Sequence, residues 1–352
     1  MRRYTYVDSA LAHDQRGDDE RLEFGFMGHP FAGSRADVRI LNCPFYERID
    51  WNTEKNAILE AEKLGFGSVW LPDHLSMGEG GTTLENWTTI TTFLNLTEKI
   101  RAGPLCVCNS FRQPSLVAKM AATLDIISHG RVNIGFGAGW MPLEHEEYGI
   151  PFPSAKMRVE MLREAIVVIK SLWEQDKVTF DGKYYKLKDA ICSPKPIQKP
   201  HPPIWIGGGG KKMMQIAAEL CDGYNWFFSP KEYGKKLEIL ERSCSEFGRD
   251  YRQIRKSWLG HVLVSEDRKW IEDTSEKWLR MVKSGPRVDP WVRDVTMEQF
   301  RENVIMGTPE ECVEKVEEFK KVGVDLLITW FTDYPSMQGA RLFAREVIPE
   351  FK

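Results

Sequence analysis

Asp73-His74 is the pair in this chain best suited to moving protons. Imidazole titrates near neutrality, and a nearby carboxylate can hold its tautomer. The pair closes Ser68-Val-Trp-Leu71-Pro72, which reads as a short strand. Neighbours on a regular strand face opposite sides, so one of the two points into a site and the other caps a turn or packs at the rim. A second constellation is Pro202-Pro-Ile-Trp-Ile-Gly207-Gly-Gly-Gly210-Lys211-Lys212. A β-prone strand stops at four glycines, and a helical pattern starts at once with Met213, Met214, Ile216 and Ala217. Glycine lets backbone approach a ligand, and a helix N-terminus aims free N–H groups at an anion. Gly207, Gly208, Gly209, Gly210 and Lys211 therefore form a candidate phosphate cradle. The alternative, a flexible linker, needs a disordered flank that this run lacks.

Three further clusters are weighed the same way. Gly137-Ala138-Gly139-Trp140 is another glycine-rich strand end, with Trp140 and Trp226 as candidate walls; relief of crowding where strands turn is the plain alternative. In Leu105-Cys106-Val107-Cys108-Asn109 the two thiols share a face at two-residue spacing, which suits packing beside a planar ligand better than a disulfide. Glu144-His145-Glu146-Glu147 lacks His-Glu-x-x-His spacing and a second histidine nearby, so no metal is expected there and the run reads as a solvated first turn of a helix.

The elements that position these residues alternate along the whole length. Strands are expected at 22–27, 68–71, 101–107, 131–137, at the glycine-rich run, and at 223–228, 257–264 and 325–331. Helical patterns lie between them, near 52–64, 87–96, 114–128, 156–173, 213–220, 229–247, 269–282, 309–322 and 337–347. Eight strands, each leading into helix, predict a (β/α)8 TIM barrel, whose site gathers at the C-terminal strand ends. A doubly wound sheet is the alternative, but its early Gly-x-Gly-x-x-Gly signature is absent. Gly135-Phe-Gly137-Ala-Gly139 imitates it until Met141-Pro142 interrupts. Residues 140–201, between the fourth and fifth strands, read as a helix plus an inserted excursion over the barrel mouth, with a hairpin turning at Asp181-Gly182. Residues 1–21 read as a polar arm and 22–352 as one domain.

Bulk properties narrow the class. The 352 residues carry a net charge of −3, which gives no basic field for nucleic acid. No apolar run approaches a membrane span and no signal peptide is evident, so a cytoplasmic protein is expected. Seven cysteines without a Cys-x-x-Cys pair argue against a disulfide framework or zinc ribbon.

The order of motifs then resembles a known family. Gly130-Arg-Val-Asn-Ile-Gly-Phe-Gly-Ala-Gly-Trp140, Glu144-His-Glu-Glu-Tyr-Gly-Ile-Pro-Phe-Pro153, Phe180-Asp-Gly-Lys-Tyr-Tyr185 and the glycine run are similar to the luciferase-like flavin and deazaflavin oxidoreductases. Gly65-Phe-Gly-Ser-Val-Trp-Leu-Pro-Asp-His74 and Ala218-Glu-Leu-Cys-Asp-Gly-Tyr-Asn225 extend the match, which covers roughly Leu22 to Phe331. The resemblance implies a cofactor, FMN or coenzyme F420, at the barrel mouth, and the Gly-Ala-Gly-Trp variant looks most like the F420 branch. It implies a non-proline cis peptide at Leu105–Cys106 that buttresses the ring. It places Asp73 at the ring region and makes His74 a proton donor or acceptor. Gly139 and the backbone of Gly207 to Gly210 would line ring and phosphate. Val107, Asn109, Gly137, Ala138, Trp140 and Lys211 join the cofactor list from their places at strand ends, and Lys211, Lys212 and Arg112 would meet an anionic F420 tail. A small-molecule substrate and a homodimer are implied too. An FMN-dependent monooxygenase and a non-catalytic flavin-storage barrel are the alternatives. Leu75-Ser-Met-Gly78 stands where sugar-phosphate dehydrogenases of the family carry tryptophan, and the connection from Gly28 to Asn52, with Asn42-Cys-Pro-Phe-Tyr46, is unusual, so the resemblance does not fix the substrate.

Overall fold

In the computed structural model, which describes residues 22–33, 45–77, 79–283 and 295–352, the expected alternation builds a parallel sheet. Its strands are β1 (Glu23–Met27), β2 (Ser68–Leu71), β3 (Arg101–Pro104), β4 (Val107–Cys108), β5 (Ile134–Gly137), β8 (Ile204–Gly207), β9 (Gly223–Trp226), β10 (Arg255–Val264), β11 (Ile305–Gly307) and β12 (Leu326–Phe331). A separate antiparallel hairpin joins β6 (Val178–Asp181) to β7 (Lys186–Ala190); Asp181 pairs with Lys186, so the connection is Gly182 to Tyr185 and the return strand starts later than an Asp181-Gly182 turn would place it. The main order is β3-β2-β1-β12-β10-β9-β8-β5-β4. Ala102 also bridges Val132, and the Asn133 N–H donates to the Ala102 carbonyl at 3.0 Å. The third stave thus touches both neighbours, and the sheet closes into the (β/α)8 barrel. Gly103 permits that closure, since a Cβ there would lie 2.0 Å from the Asn133 carbonyl oxygen.

Period-two alternation sorts the strand side chains. On β12, Leu326, Ile328 and Trp330 pack inward with Met27, Trp70, Leu105, Cys106, Trp205 and Leu259. Leu327 and Phe331 face outward into the layer shared with the helices. That layer includes Ala118, Ala121 and Ala122 of helix Pro114–Ile127 and Leu162, Ala165 and Ile169 of helix Ala155–Glu174. Pro114 occupies the first helical turn, where its missing N–H costs nothing.

The structure departs from the sequence reading in three further places. The third strand is two pieces, β3 and β4, parted by a cis peptide bond at Leu105–Cys106. The fourth starts at Ile134 because Arg131 turns aside, its guanidinium donating to the carbonyls of Leu94, Ile100 and Ser128. β11, paired with β10, and helix Met297–Glu302 were not read at all; three-residue and six-residue elements carry too little periodicity to register. The proposed arm at 1–21, Cys43 and Gly78 lie outside the described residues.

A buried carboxyl ties the first stave to the last. Glu54, in the first turn of helix Trp51–Lys63, is 1 % exposed. It accepts from the His29 N–H at 3.2 Å and the Tyr334 hydroxyl at 2.7 Å. Burial outweighs these bonds and lifts the carboxyl from its usual range to about 8. The folded state therefore holds this proton more tightly than the unfolded chain. Stability from this group is complete below the unfolded carboxyl's range and declines as pH rises to about 8, by on the order of 4 kcal/mol. Glu54→Gln can keep both contacts, accepting from His29 and donating to the Tyr334 oxygen. Its melting temperature is expected to vary less between pH 5 and pH 9 than that of the parent, as calorimetry would read directly. An equal decline in both proteins would remove Glu54 as the source.

Candidate active site

Asp73 and His74 lie just beyond the C-terminal end of β2, and their side chains take different partners. The Asn86 side-chain amide holds that end, donating to the carbonyls of Leu71 and Pro72 at 2.8 and 3.0 Å. Asp73 is 3 % exposed. Its Oδ2 accepts from Arg112 at 2.7 Å and from the Cys108 N–H at 3.0 Å. Its Oδ1 is buried without a partner. Burial raises the Asp73 carboxyl above its ordinary range, against the opposing pull of Arg112 and the Cys108 amide. Arg112 spans Asp73 and Glu85, both at 2.7 Å, so it is already committed and does not stand free for a cofactor tail.

His74 takes its orientation from a residue far along the chain. Its Nδ1 lies 2.8 Å from Glu144 Oε2. Glu144 Oε1 accepts from the N–H groups of Leu75 and Ser76 at 2.7 and 2.9 Å. Burial opposes ionisation of Glu144, but His74 and these two amides outweigh it and hold the carboxyl below its usual range. Trp140 meets the His74 ring edge-on at 5.6 Å, although the indole itself is exposed. The expectation of a solvated first turn at Glu144 and His145 is thus corrected. Both are 1 % exposed, while Glu146 and Glu147 face water. The helix Pro142–Glu147 spans six residues, too few for an amphipathic period to reveal which acid turns inward. His145 is used structurally, its Nδ1 2.8 Å from the Met141 carbonyl and its Nε2 2.7 Å from Ser110 Oγ.

Beside this pair lies a floor of glycine and thiol. Cys106 follows the cis bond, and burial pushes its thiol up to about 12, so it stays protonated and inert. A Cβ at Gly207 would sit 2.8 Å from Cys106 Sγ, and one at Gly137 would sit 3.2 Å from Cys106 Cβ. Gly139, at φ +78°, faces Cys108 Sγ and Ser110 Oγ instead, at 2.9 and 3.1 Å. The two thiols therefore serve different glycines. Burial likewise raises the Cys108 thiol, to about 11. Asn109 extends this edge, donating to the Tyr185 hydroxyl at 3.1 Å; Val107 is buried among the outer helices, which removes its side chain from the floor. Ala138 offers its carbonyl to Arg158 at 3.2 Å.

The glycine run ends this floor at a helix start. Gly210 is the N-cap of helix Lys211–Leu220, no side chain caps it, and nothing lies within 4 Å of a Cβ built there. The Met213 and Met214 N–H groups donate to the Gly210 carbonyl at 2.9 and 3.3 Å, which leaves the N–H groups of Lys211 and Lys212 as the first-turn donors without intrahelical partners. Lys211 and Lys212 are exposed at this turn. Lys236, which the sequence did not single out, donates to the Gly209 carbonyl at 3.1 Å and lies 5.8 Å from the Trp226 ring. Gly208 is at φ +136°, and a Cβ at Gly209 would strike the Trp226 ring at 2.2 Å. Across the barrel, His261 on β10 stacks on Trp330 at 4.7 Å.

Two observations test the fit of a planar, phosphate-bearing cofactor. Gly137 and Gly207 approach Cys106 closely only because they carry no side chains, and Asp73 Oδ1 is a buried polar atom without a partner. Both fit such a group. Among the described residues, no three His, Cys, Asp or Glu side chains gather as metal ligands, and no helix is long and apolar enough to cross a membrane.

Comparison with known proteins places these features in context. The sequence profile of the luciferase-like monooxygenases matches residues 31–326. An F420-dependent glucose-6-phosphate dehydrogenase of Microbacterium testaceum is 28 % identical over 308 residues, 83 % of this chain and 91 % of that protein. An FMNH(2)-dependent dimethylsulfone monooxygenase of Pseudomonas putida is 25 % identical over 334 residues, 86 % of this chain and 89 % of that one. The solved F420-dependent secondary alcohol dehydrogenase in complex with an F420-acetone adduct superposes with a TM-score of 0.76 at 24 % identity, covering 94 % of this chain and 99 % of its own. That structure supports the barrel.

Proposed function

The chain belongs to the luciferase-like monooxygenase family, and from that premise we propose that it is a coenzyme F420-dependent oxidoreductase acting on a small organic alcohol or carbonyl compound. The observation that carries this reading is the His74–Glu144 pair at 2.8 Å. Interconverting an alcohol and a carbonyl needs a group that takes or returns the hydroxyl proton, and an imidazole with one nitrogen fixed by a buried carboxylate presents the other nitrogen for that task. Gly137, Cys106 and Gly207 would carry the ring, Asp73 Oδ1 would meet its edge, and the backbone of Gly207 to Gly210 with Lys211 would hold the phosphate. The bound deazaflavin supplies the hydride acceptor or donor at C5. His74 Nε2 then removes the hydroxyl proton in the oxidising direction and returns it in the reducing one. Glu144 balances the charge that His74 gains.

The rival is an FMN-dependent monooxygenase, which the Pseudomonas putida relative favours by matching nearly as well. Fluorescence titration of cofactor-free protein separates the two. F420 is expected to bind at least about tenfold more tightly than FMN, a gap of roughly 1.4 kcal/mol. A clear preference for FMN would select the monooxygenase instead.

A further inference from the structure

The inward layer at the top of the barrel has two unlike halves. One is the glycine and thiol floor. The other is aromatic: Trp330 on β12 and His261 on β10, stacked at 4.7 Å with planes 18° apart, with Trp278 of the helix Arg268–Lys283 meeting His261 edge-on at 4.8 Å. Trp330 joins the two neighbourhoods that matter. It packs against the inner cluster that holds Leu105 and Cys106, and against the apolar cluster of Phe31, Met77 and Met141. Met77 is three residues beyond His74, and Met141 follows Trp140. Trp330 is only partly buried, yet its Nε1 is fully buried and has no hydrogen-bond partner. A desolvated N–H without an acceptor is costly, and at a barrel mouth a ligand acceptor is the natural remedy. Other indole N–H groups also lack partners, among them Trp87, Trp205, Trp226 and Trp278. Trp330 differs in being partly exposed while packing against both the inner cluster of Leu105 and Cys106 and the buried cluster of Met77 and Met141 beside His74.

We infer that Trp330 is a specificity-determining residue: its indole N–H receives an acceptor oxygen of the substrate, while Phe31, Met77 and Met141, all buried, pack against the indole and hold it in place. The substrate class is thus a compact carbonyl or alcohol, read by its acceptor oxygen. The inference rests on the proposed active site but not on the identity of the cofactor.

Cyclohexanone and its isostere methylenecyclohexane isolate the N–H, because they differ in one acceptor atom. Calorimetric binding to the wild-type protein, alone and saturated with whichever of F420 or FMN it accepts, should favour the ketone by about tenfold. Trp330→Phe keeps an aromatic ring against His261 and removes the donor, so the preference should vanish while methylenecyclohexane binds as before. Trp330→Leu, which also lacks a donor, serves if the first variant does not fold, and it too should lose the preference. A ketone preference that survives in a folded Trp330 variant, or equal binding of both probes to the parent, overturns the inference. Failure of the cofactor reading would appear separately, as no binding of F420 or FMN in the titration.

Discussion

Gly207→Ala is expected to weaken cofactor binding by about a hundredfold or more while leaving the barrel folded. The added Cβ would lie 2.8 Å from Cys106 Sγ. A thiol is the end of a short, rotatable side chain, so it can swing aside at modest cost to stability. The methyl itself cannot leave. It would stand on the floor that Gly137, Cys106 and Gly207 form, and a planar ring would ride up from that floor and lose its contacts. Loss of close contact across a ring face removes several kcal/mol, since even a gap of 0.5–1 Å forfeits a quarter to a half of each dispersion well. Fluorescence titration measures the affinity, and thermal melting the stability. The double variant Cys106→Ala with Gly207→Ala separates two causes. It removes the clash with sulfur and should recover any lost stability, yet cofactor affinity should stay low. Recovery of affinity in the double variant would mean that the displaced thiol, not the methyl, blocks the ring.

How much of this was legible in the chain depends on the range of the interaction. The barrel was, because period-two strands and period-3.6 helices are local signals and eight of them in alternation permit few topologies. The end of β2 was also legible: Asp73 and His74 sit where a strand stops, and Gly207 to Gly210 sit where another stops. The partner of His74 was not. Seventy residues separate it from Glu144, and the neighbouring Asp73 was the obvious carboxylate. Strand alternation made that choice doubtful, and the structure gives Asp73 to Arg112 instead. The cis bond at Leu105–Cys106 came only from resemblance, since no propensity marks a non-proline cis peptide. Trp330 was invisible for a different reason. Its strand was read correctly, but an inward tryptophan is ordinary core until the structure shows a buried N–H with no acceptor.

His74→Ala and Glu144→Gln should both disable turnover without disturbing cofactor affinity, and their difference tests the mechanism more sharply than either alone. Removing His74 deletes the proton carrier. General acid–base catalysis contributes roughly 10²–10⁴-fold, so a fall in kcat of about a thousandfold is expected. Glu144→Gln keeps every atom of His74. Its carbonyl oxygen must still face the N–H groups of Leu75 and Ser76, because an amide NH2 there would oppose two donors. The amide NH2 then turns to His74 Nδ1, which must become the acceptor. The imidazole proton moves to Nε2, and the nitrogen facing the substrate can no longer take a proton. A fall of about a hundredfold in the oxidising direction follows. Nitrogen-15 spectra of the labelled protein read the tautomer without any turnover: protonated Nδ1 in the parent, protonated Nε2 in Glu144→Gln. Glu144→Asp retains the charge and should restore the parent tautomer if the shorter side chain still reaches. A carboxamide variant that kept both the parent tautomer and its activity would show that Glu144 only anchors the loop of Leu75 and Ser76. Since the Glu144 carboxyl is held below its usual range, it remains ionised through neutrality and continues to accept the His74 Nδ1 proton there.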